Sequence, residues 1–194
     1  MAALTLDEAM DRYARGDDAV YDDLFRQASP RLRGFLLRMC GDSTLADDLT
    51  QEAFLRVHLA RGSFVANSAA LPWMLAIARN AFLDHTRRES VRRTARNRMS
   101  EGSDGAAHHA SPEARGDEVL VARETLELVR RTLDGLPLIH REAFVLLRFE
   151  GLSVSQAAQV LGASEAAVKV RAFRAYEALR AALHREGEGS SQRK

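Results

Sequence analysis

Lys169, Arg171 and Arg174 crowd into one short stretch near the end of the chain. A guanidinium can grip a guanine edge through two hydrogen bonds, and an ammonium can meet a phosphate as a point charge. Such groups on one helix are the chemistry of nucleic-acid binding, provided that the helix is presented correctly. The residues before them predict that presentation. Gly151-Leu-Ser-Val-Ser-Gln-Ala-Ala-Gln-Val-Leu-Gly162, running on to Ala-Ser-Glu-Ala-Ala-Val-Lys-Val-Arg171, reads as helix, tight turn, helix. Ser153 can cap the first helix, whose leading N–H groups need an acceptor. Ala157, Ala158 and Leu161 offer a small apolar face that lets a second helix approach. Gly162 falls where a left-handed residue ends a helix, and Ser164 is placed to cap the next. Val168 returns to the core at helical spacing. Pairs of short amphipathic helices also occur in proteins that never touch DNA, so the rest of the chain has to decide.

Net charge is only +1 over 194 residues, yet the charge is unevenly distributed. Residues 1–30 carry three arginines against seven acids, residues 61–100 eight arginines against Asp84 and Glu89, and residues 136–194 nine bases against six acids. Two basic segments imply two surfaces suited to a polyanion, and the acidic start implies a different partner. The single cysteine, Cys40, excludes an internal disulfide and any multi-cysteine zinc site, and its apolar neighbours predict a buried small hydrophobe. His108-His109 lacks further ligands in metal spacing, so neither metal nor cofactor is expected. No basic and then apolar leader opens the sequence. The longest apolar run, Leu71 to Ala78, is too short to span a bilayer. A soluble, cytoplasmic protein without membrane insertion is the expectation.

Periodicity is helical throughout, with no convincing alternating strand. The spacing predicts helices over 5–15, 18–28, 30–40, 43–60 and 69–89, with Pro30 acceptable at a helix start. From Arg98 to Gly116 glycine, serine and proline dominate, a composition that cannot bury enough apolar surface to offset chain entropy. Further helices are predicted near 117–134, 138–149, 153–161 and 165–185, followed by a polar tail. The fold class is therefore all-α: two small helical domains, 1–97 and 117–194, joined by a flexible linker at 98–116, the second a helix-turn-helix domain.

Within the first domain, Leu45, Leu49, Ala53 and Val57 form a core stripe, broadened by Phe54 and Leu55. Asp47, Asp48, Gln51 and Glu52 make a polar rim. Acids near a helix start also suit the helix dipole, so a partner surface and a solvated face remain equal readings of these residues. Next, Leu71-Pro-Trp-Met-Leu-Ala-Ile-Ala-Arg-Asn-Ala-Phe-Leu-Asp-His-Thr-Arg-Arg88 begins apolar and turns basic. Trp73, Ile77 and Leu83 suit a core, while Arg79, Asn80, Asp84, Arg87 and Arg88 emerge on other faces. Trp73 could stack on an unpaired base, although a lone tryptophan in such a helix more often packs inside.

The order of these segments, the acidic helix, the tryptophan-to-arginine helix, the linker, then Leu136-Pro-Leu-Ile-His-Arg-Glu-Ala-Phe-Val-Leu-Leu-Arg-Phe-Glu-Gly-Leu-Ser153 and the helix-turn-helix, resembles the extracytoplasmic-function (ECF) class of bacterial sigma-70-type factors. The resemblance covers nearly all of residues 18–185. It implies that the first domain binds core RNA polymerase and opens the −10 promoter element, while the second reads the −35 element. By position, it assigns Asp47, Asp48, Leu49, Gln51, Glu52 and Leu55 to polymerase. It places Trp73, Asn80, Asp84, His85, Arg87 and Arg88 at the −10 strand, with a base pocket in the loop from Arg61 to Asn67. It sends Ser164, Glu165, Ala167, Lys169, Val170, Arg171 and Arg174 into the −35 major groove. An anti-sigma partner is implied by resemblance alone. The chain departs from the family at Ala166-Ala-Val-Lys-Val-Arg171, where two hydroxyls common in that family are missing, and in the loop Phe64–Pro72. No catalysis is expected. The rival readings are a conventional helix-turn-helix regulator acting without polymerase, which leaves the acidic helix unexplained, and an enzyme built on Asp84-His85. The latter pair points to different helix faces.

Overall fold

The computed structural model describes residues 4–97 and 127–191; the linker predicted at 98–116 and the start of the helix predicted at 117–134 lie outside them. Among the described residues there is no strand. The chain divides into two compact units, one containing residues 4–97 and the other 127–191.

In the first unit, α1 (Leu6–Ala14) starts with a reciprocal cap: Glu8 N–H donates to Thr5 Oγ1 while the Glu8 carboxylate accepts from Thr5 N–H. A 3-10 turn (Asp18–Val20) leads into α2 (Tyr21–Cys40). The sequence predicts a break before Pro30; the helix instead runs through it. A proline inside a helix costs about 3 kcal/mol. Here it sits on the exposed face, while Leu24, Ala28, Leu32, Phe35 and Leu36 form one buried stripe on both sides of it. Each buried Leu or Phe returns about 1.5–3 kcal/mol, enough to hold the helix continuous. Gly41, at φ +72°, ends it in the left-handed conformation. Cys40 is half-buried rather than buried, and its thiol donates to the Asp42 carbonyl.

Helix α3 (Ser43–Ala60) is capped by the Asp42 carboxylate, which accepts from Leu45 N–H. After a 3-10 turn (Arg61–Ser63) comes α4 (Ala70–Asn97), longer than the predicted 69–89. Packing pairs α2 with α3, α3 with α4, and α1 with both α2 and α4. The predicted core register of α4 is corrected by one position. Met74, Leu75, Ala78, Ala81 and Phe82 are buried, while Trp73, Ile77 and Leu83 are only half-buried. A long helix wedged between two others buries a wide stripe, and the stripe's centre cannot be read from apolar residues that lie on both of its borders.

In the second unit, α5 (described over 127–134), α6 (Leu138–Arg148), α7 (Val154–Leu161) and α8 (Glu165–Ser191) follow in turn. Helices α6 and α7 both pack on α8 and on each other. Leu133, Phe144, Ala175 and Leu179 form a core cluster that Val129 and Leu136 flank. The helix α8 outruns its predicted end at 185, so part of the expected polar tail is helical.

Candidate nucleic-acid and partner interfaces

The turn between α7 and α8 is built as its sequence predicts. Ser153 Oγ accepts from Gln156 N–H, and Gln156 Oε1 accepts from Ser153 N–H, a reciprocal cap. Gly162 adopts φ +57°, ψ +42°, and the amides of Gly162 and Ala163 donate to the carbonyls of Gln159 and Ala158. This is a Schellman closure, which satisfies carbonyls that the helix end would leave open. Ser164 Oγ then accepts from Ala167 N–H to start α8.

Val168, Ala172, Ala175, Leu179 and Ala182 form the buried stripe of α8. On the opposite face Ser164, Glu165, Lys169, Val170 and Arg174 are exposed, whereas Ala167 and Arg171 are half-buried. The face also carries Phe173, 58% exposed, which the sequence reading passed over. Its signal was available, because Phe173 lies one position out of the buried stripe and beside Arg174. A donor-rich helix surface with an accessible ring can hydrogen-bond base edges and meet a thymine methyl.

In the first unit, the buried face of α3 is Ala46, Leu49, Ala53, Phe54 and Val57. Leu49, at 2% exposure, supports the helix from inside and is not available to a partner, contrary to its assignment from the resemblance. Asp48, Gln51 and Leu55 stand out on one exposed row, with Leu59 further along it, 75% exposed. Asp47 is exposed but engaged. Arg33 Nε lies 2.5 Å from its Oδ1 and holds its carboxyl below the usual aspartate range, against a smaller opposing effect of desolvation. Glu52 is half-buried, 2.5 Å from Arg56 Nη2 and 3.9 Å from Arg88 Nη2.

Arg56 also reaches Asp84 on α4, at 2.8 Å. Partial burial disfavours its charge, but the hydrogen bonds to Asp84 and Glu52 outweigh that and raise its pKa. Asn80, Arg87 and Arg88 are exposed along α4; Asp84 and His85 are half-buried. Trp73 packs edge-on against Phe64, with ring centroids 5.3 Å apart, and keeps part of its ring open. The structure thus places Asp84, Arg88 and Glu52 in one charge cluster and leaves Trp73 apart, next to the Arg61–Asn67 loop. Arg33 and Arg56, which organise the acids, were missed because each acts across helices. Among the described residues no cluster of histidine, cysteine or carboxylates suits a metal ion, and no helix is long and apolar enough to cross a membrane.

The first unit thus presents an acid-rimmed helix and the second a helix-turn-helix. Two family models match the chain, Sigma-70 region 2 over residues 24–100 and Sigma-70, region 4 over residues 126–179. The RNA polymerase sigma factor CarQ of Myxococcus xanthus is 34% identical over 179 residues, covering 90% of this chain and 95% of that protein. The ECF RNA polymerase sigma factor EcfG of Rhodopseudomonas palustris is 33% identical over 170 residues, covering 88% of each. A solved structure, the sigma factor RpoE in complex with the anti-sigma factor NepR from Bartonella quintana, shares the fold with a TM-score of 0.68 at 24% identity, covering 84% of this chain and 96% of that one. The chain belongs to the ECF family of sigma-70-type factors, and it directs RNA polymerase to promoters.

Proposed function

We propose that the exposed row of α3 docks on core RNA polymerase, that α4 and the loop before it take the −10 strand, and that α8 enters the −35 major groove. The division follows residues 1–97 and 117–194. The observation that carries it is the α3 row itself, where the exposed Asp48 and Gln51 lead directly into the open Leu55 and Leu59. A solvated helix face has no use for two unburied leucines beside acids, whereas a partner surface does.

In this reading Asp47 and Glu52 complete the acidic rim while Arg33 and Arg56 hold them in place. Asn80, Arg87 and Arg88 meet the strand, with Trp73 at the loop and Asp84 and His85 behind them. Lys169, Arg171 and Arg174 supply donors to the −35 duplex, and Ser164, Glu165, Ala167 and Val170 line the same face. The protein works in the cytoplasm and carries out no chemistry; binding energy places polymerase and stabilises a melted strand. An anti-sigma factor is the expected restraint, as for the relative solved in complex with NepR.

Run-off transcription with purified core polymerase tests this. The wild-type chain should confer promoter-specific initiation, and Asp48→Arg should abolish both the transcript and retention by core in a pull-down, with helicity unchanged. Specific duplex binding without any effect of core would instead favour the conventional regulator.

A further inference from the structure

Helix α1 lies wholly before the segment matched by the region 2 model, which begins at residue 24. Two of its carboxylates nevertheless end on the loop that leads into α4. Asp7 Oδ1 accepts from Ala70 N–H at 2.7 Å. Ala70 opens α4, where amides have no partner inside the helix and the dipole favours an anion. One turn along, Asp11 accepts from Asn67 N–H with both oxygens, at 3.0 and 3.3 Å. Asn67 stands at φ +62°, a left-handed conformation that asparagine tolerates better than most residues other than glycine. The Asp11 carboxylate stabilises it there.

The rest of the loop is tied on the same side. Arg61 pairs with Asp18 and lies 4.9 Å over the Tyr13 ring of α1. The Tyr13 hydroxyl is itself hydrogen-bonded to His58 Nδ1 at 2.6 Å. Phe64 turns inward against Trp73, and Ser68 N–H donates to the Val65 carbonyl. Gly62 and Ser63 are exposed at the start of the loop, and beyond the buried Phe64 a short crest, Val65, Ala66 and Asn67, stands exposed on a backbone held at both ends.

We propose that Asp7 and Asp11 are positioning residues for −10 base selection, fixing from α1 the shape of the loop that receives the base. This rests on the reading of the Arg61–Asn67 loop as the −10 base pocket. The carboxylates touch backbone N–H groups and act through them. Base choice then depends on a helix outside the matched region, because a crest displaced by an ångström no longer fits one base better than another.

The test uses holoenzymes assembled from full-length chain and core polymerase. Each is offered a single-stranded DNA library with six randomised bases and, separately, duplexes randomised at the −35 box. Bound sequences are counted. Asp7→Ala and Asp11→Ala should each lower the preference at the most selective single-strand position, by about tenfold or more for Asp11→Ala, the scale of losing a charged acceptor. Asp11→Asn, whose amide oxygen still accepts from Asn67, should lose clearly less than Asp11→Ala. The −35 preference should not move. A lower fraction of folded protein reduces the amount bound without altering these ratios. Unchanged single-strand preference in both alanine variants, or an equal loss in Asp11→Asn, overturns the proposal. A wild-type holoenzyme with no base preference on single strands overturns the loop assignment itself, and the positioning role with it.

Discussion

Arg56 Nη1 lies 2.8 Å from Asp84 Oδ2 and so links α3 to α4 between the two surfaces proposed for polymerase and for the −10 strand. The same guanidinium holds Glu52, so one side chain pairs with an acid on each helix. The hydrogen bond from Arg56 lowers the pKa of Asp84; desolvation opposes this, and the charges of Arg56, Arg88 and Arg87 add to it. A carboxylate with a depressed folded pKa contributes stability that is complete above its unfolded pKa and is lost as pH falls through the folded one. Arg56→Met should therefore lower the thermal midpoint at pH 7, and the deficit should shrink as pH drops below about 4. Melts of the full chain across that range check this. A deficit independent of pH would make the Arg56 contribution one of packing alone.

The most local features were the most legible. Ser153, Gly162 and Ser164 take the roles that their spacing predicts, because caps and left-handed closures involve residues only a few positions apart. Val168 reaches the core for the same reason. What sequence could not supply was contact between distant segments. Pro30 reads as a helix start until the stripe from Leu24 to Leu36 is seen to be buried on both sides of it. Asp7 and Asp11 lie one turn apart near the start of the chain, and nothing local in the sequence says that Ala70 and Asn67 will meet them. Leu49 and Leu55 look alike in the sequence, yet one is buried and the other is 59% exposed.

Gly162 makes its contribution through backbone geometry alone. A Cβ added there would meet no heavy atom within 4 Å, so replacement adds no clash. The cost of Gly162→Ala is then that of holding an L-residue at φ +57°, about 1–2 kcal/mol. Gly162→Asn should cost less, because asparagine tolerates this region. Thermal unfolding of the full chain should rank wild type, Asn and Ala in that order. At low temperature both variants should still bind −35 duplex, and equal losses would point to a contact instead of a dihedral.

Arg171 and Arg174 differ in setting, and their roles should differ with it. Arg171 is half-buried, which limits the orientations of its fork; Arg174 is exposed. A fork held in one direction suits bidentate reading of a guanine edge, worth about 1–3 kcal/mol of discrimination. A mobile cation suits phosphate. Arg171→Ala should weaken binding to the selected −35 duplex while leaving a scrambled duplex nearly untouched. Arg174→Ala should weaken both alike and reduce the salt slope by about one. Titrations of the two duplexes at two salt concentrations separate these outcomes, and the reverse pattern would exchange the roles.

The bipartite reading is tested most directly on the DNA. One turn of B-DNA advances about 34 Å over about 10 bp. Inserting about 5 bp between the −10 and −35 boxes therefore turns one of them to the opposite face of the duplex. A holoenzyme that engages both boxes at once needs them on one face, so run-off transcription from the altered promoter should collapse. Inserting a full turn restores the face but adds its whole length, and should recover little. Single-stranded capture of the −10 sequence by holoenzyme should be unaffected, since it never involves the spacer. A regulator using its helix-turn-helix alone would read its box equally well whatever the spacer length. Undiminished transcription after the half-turn insertion would mean that α8 and the α4 surface are not used together.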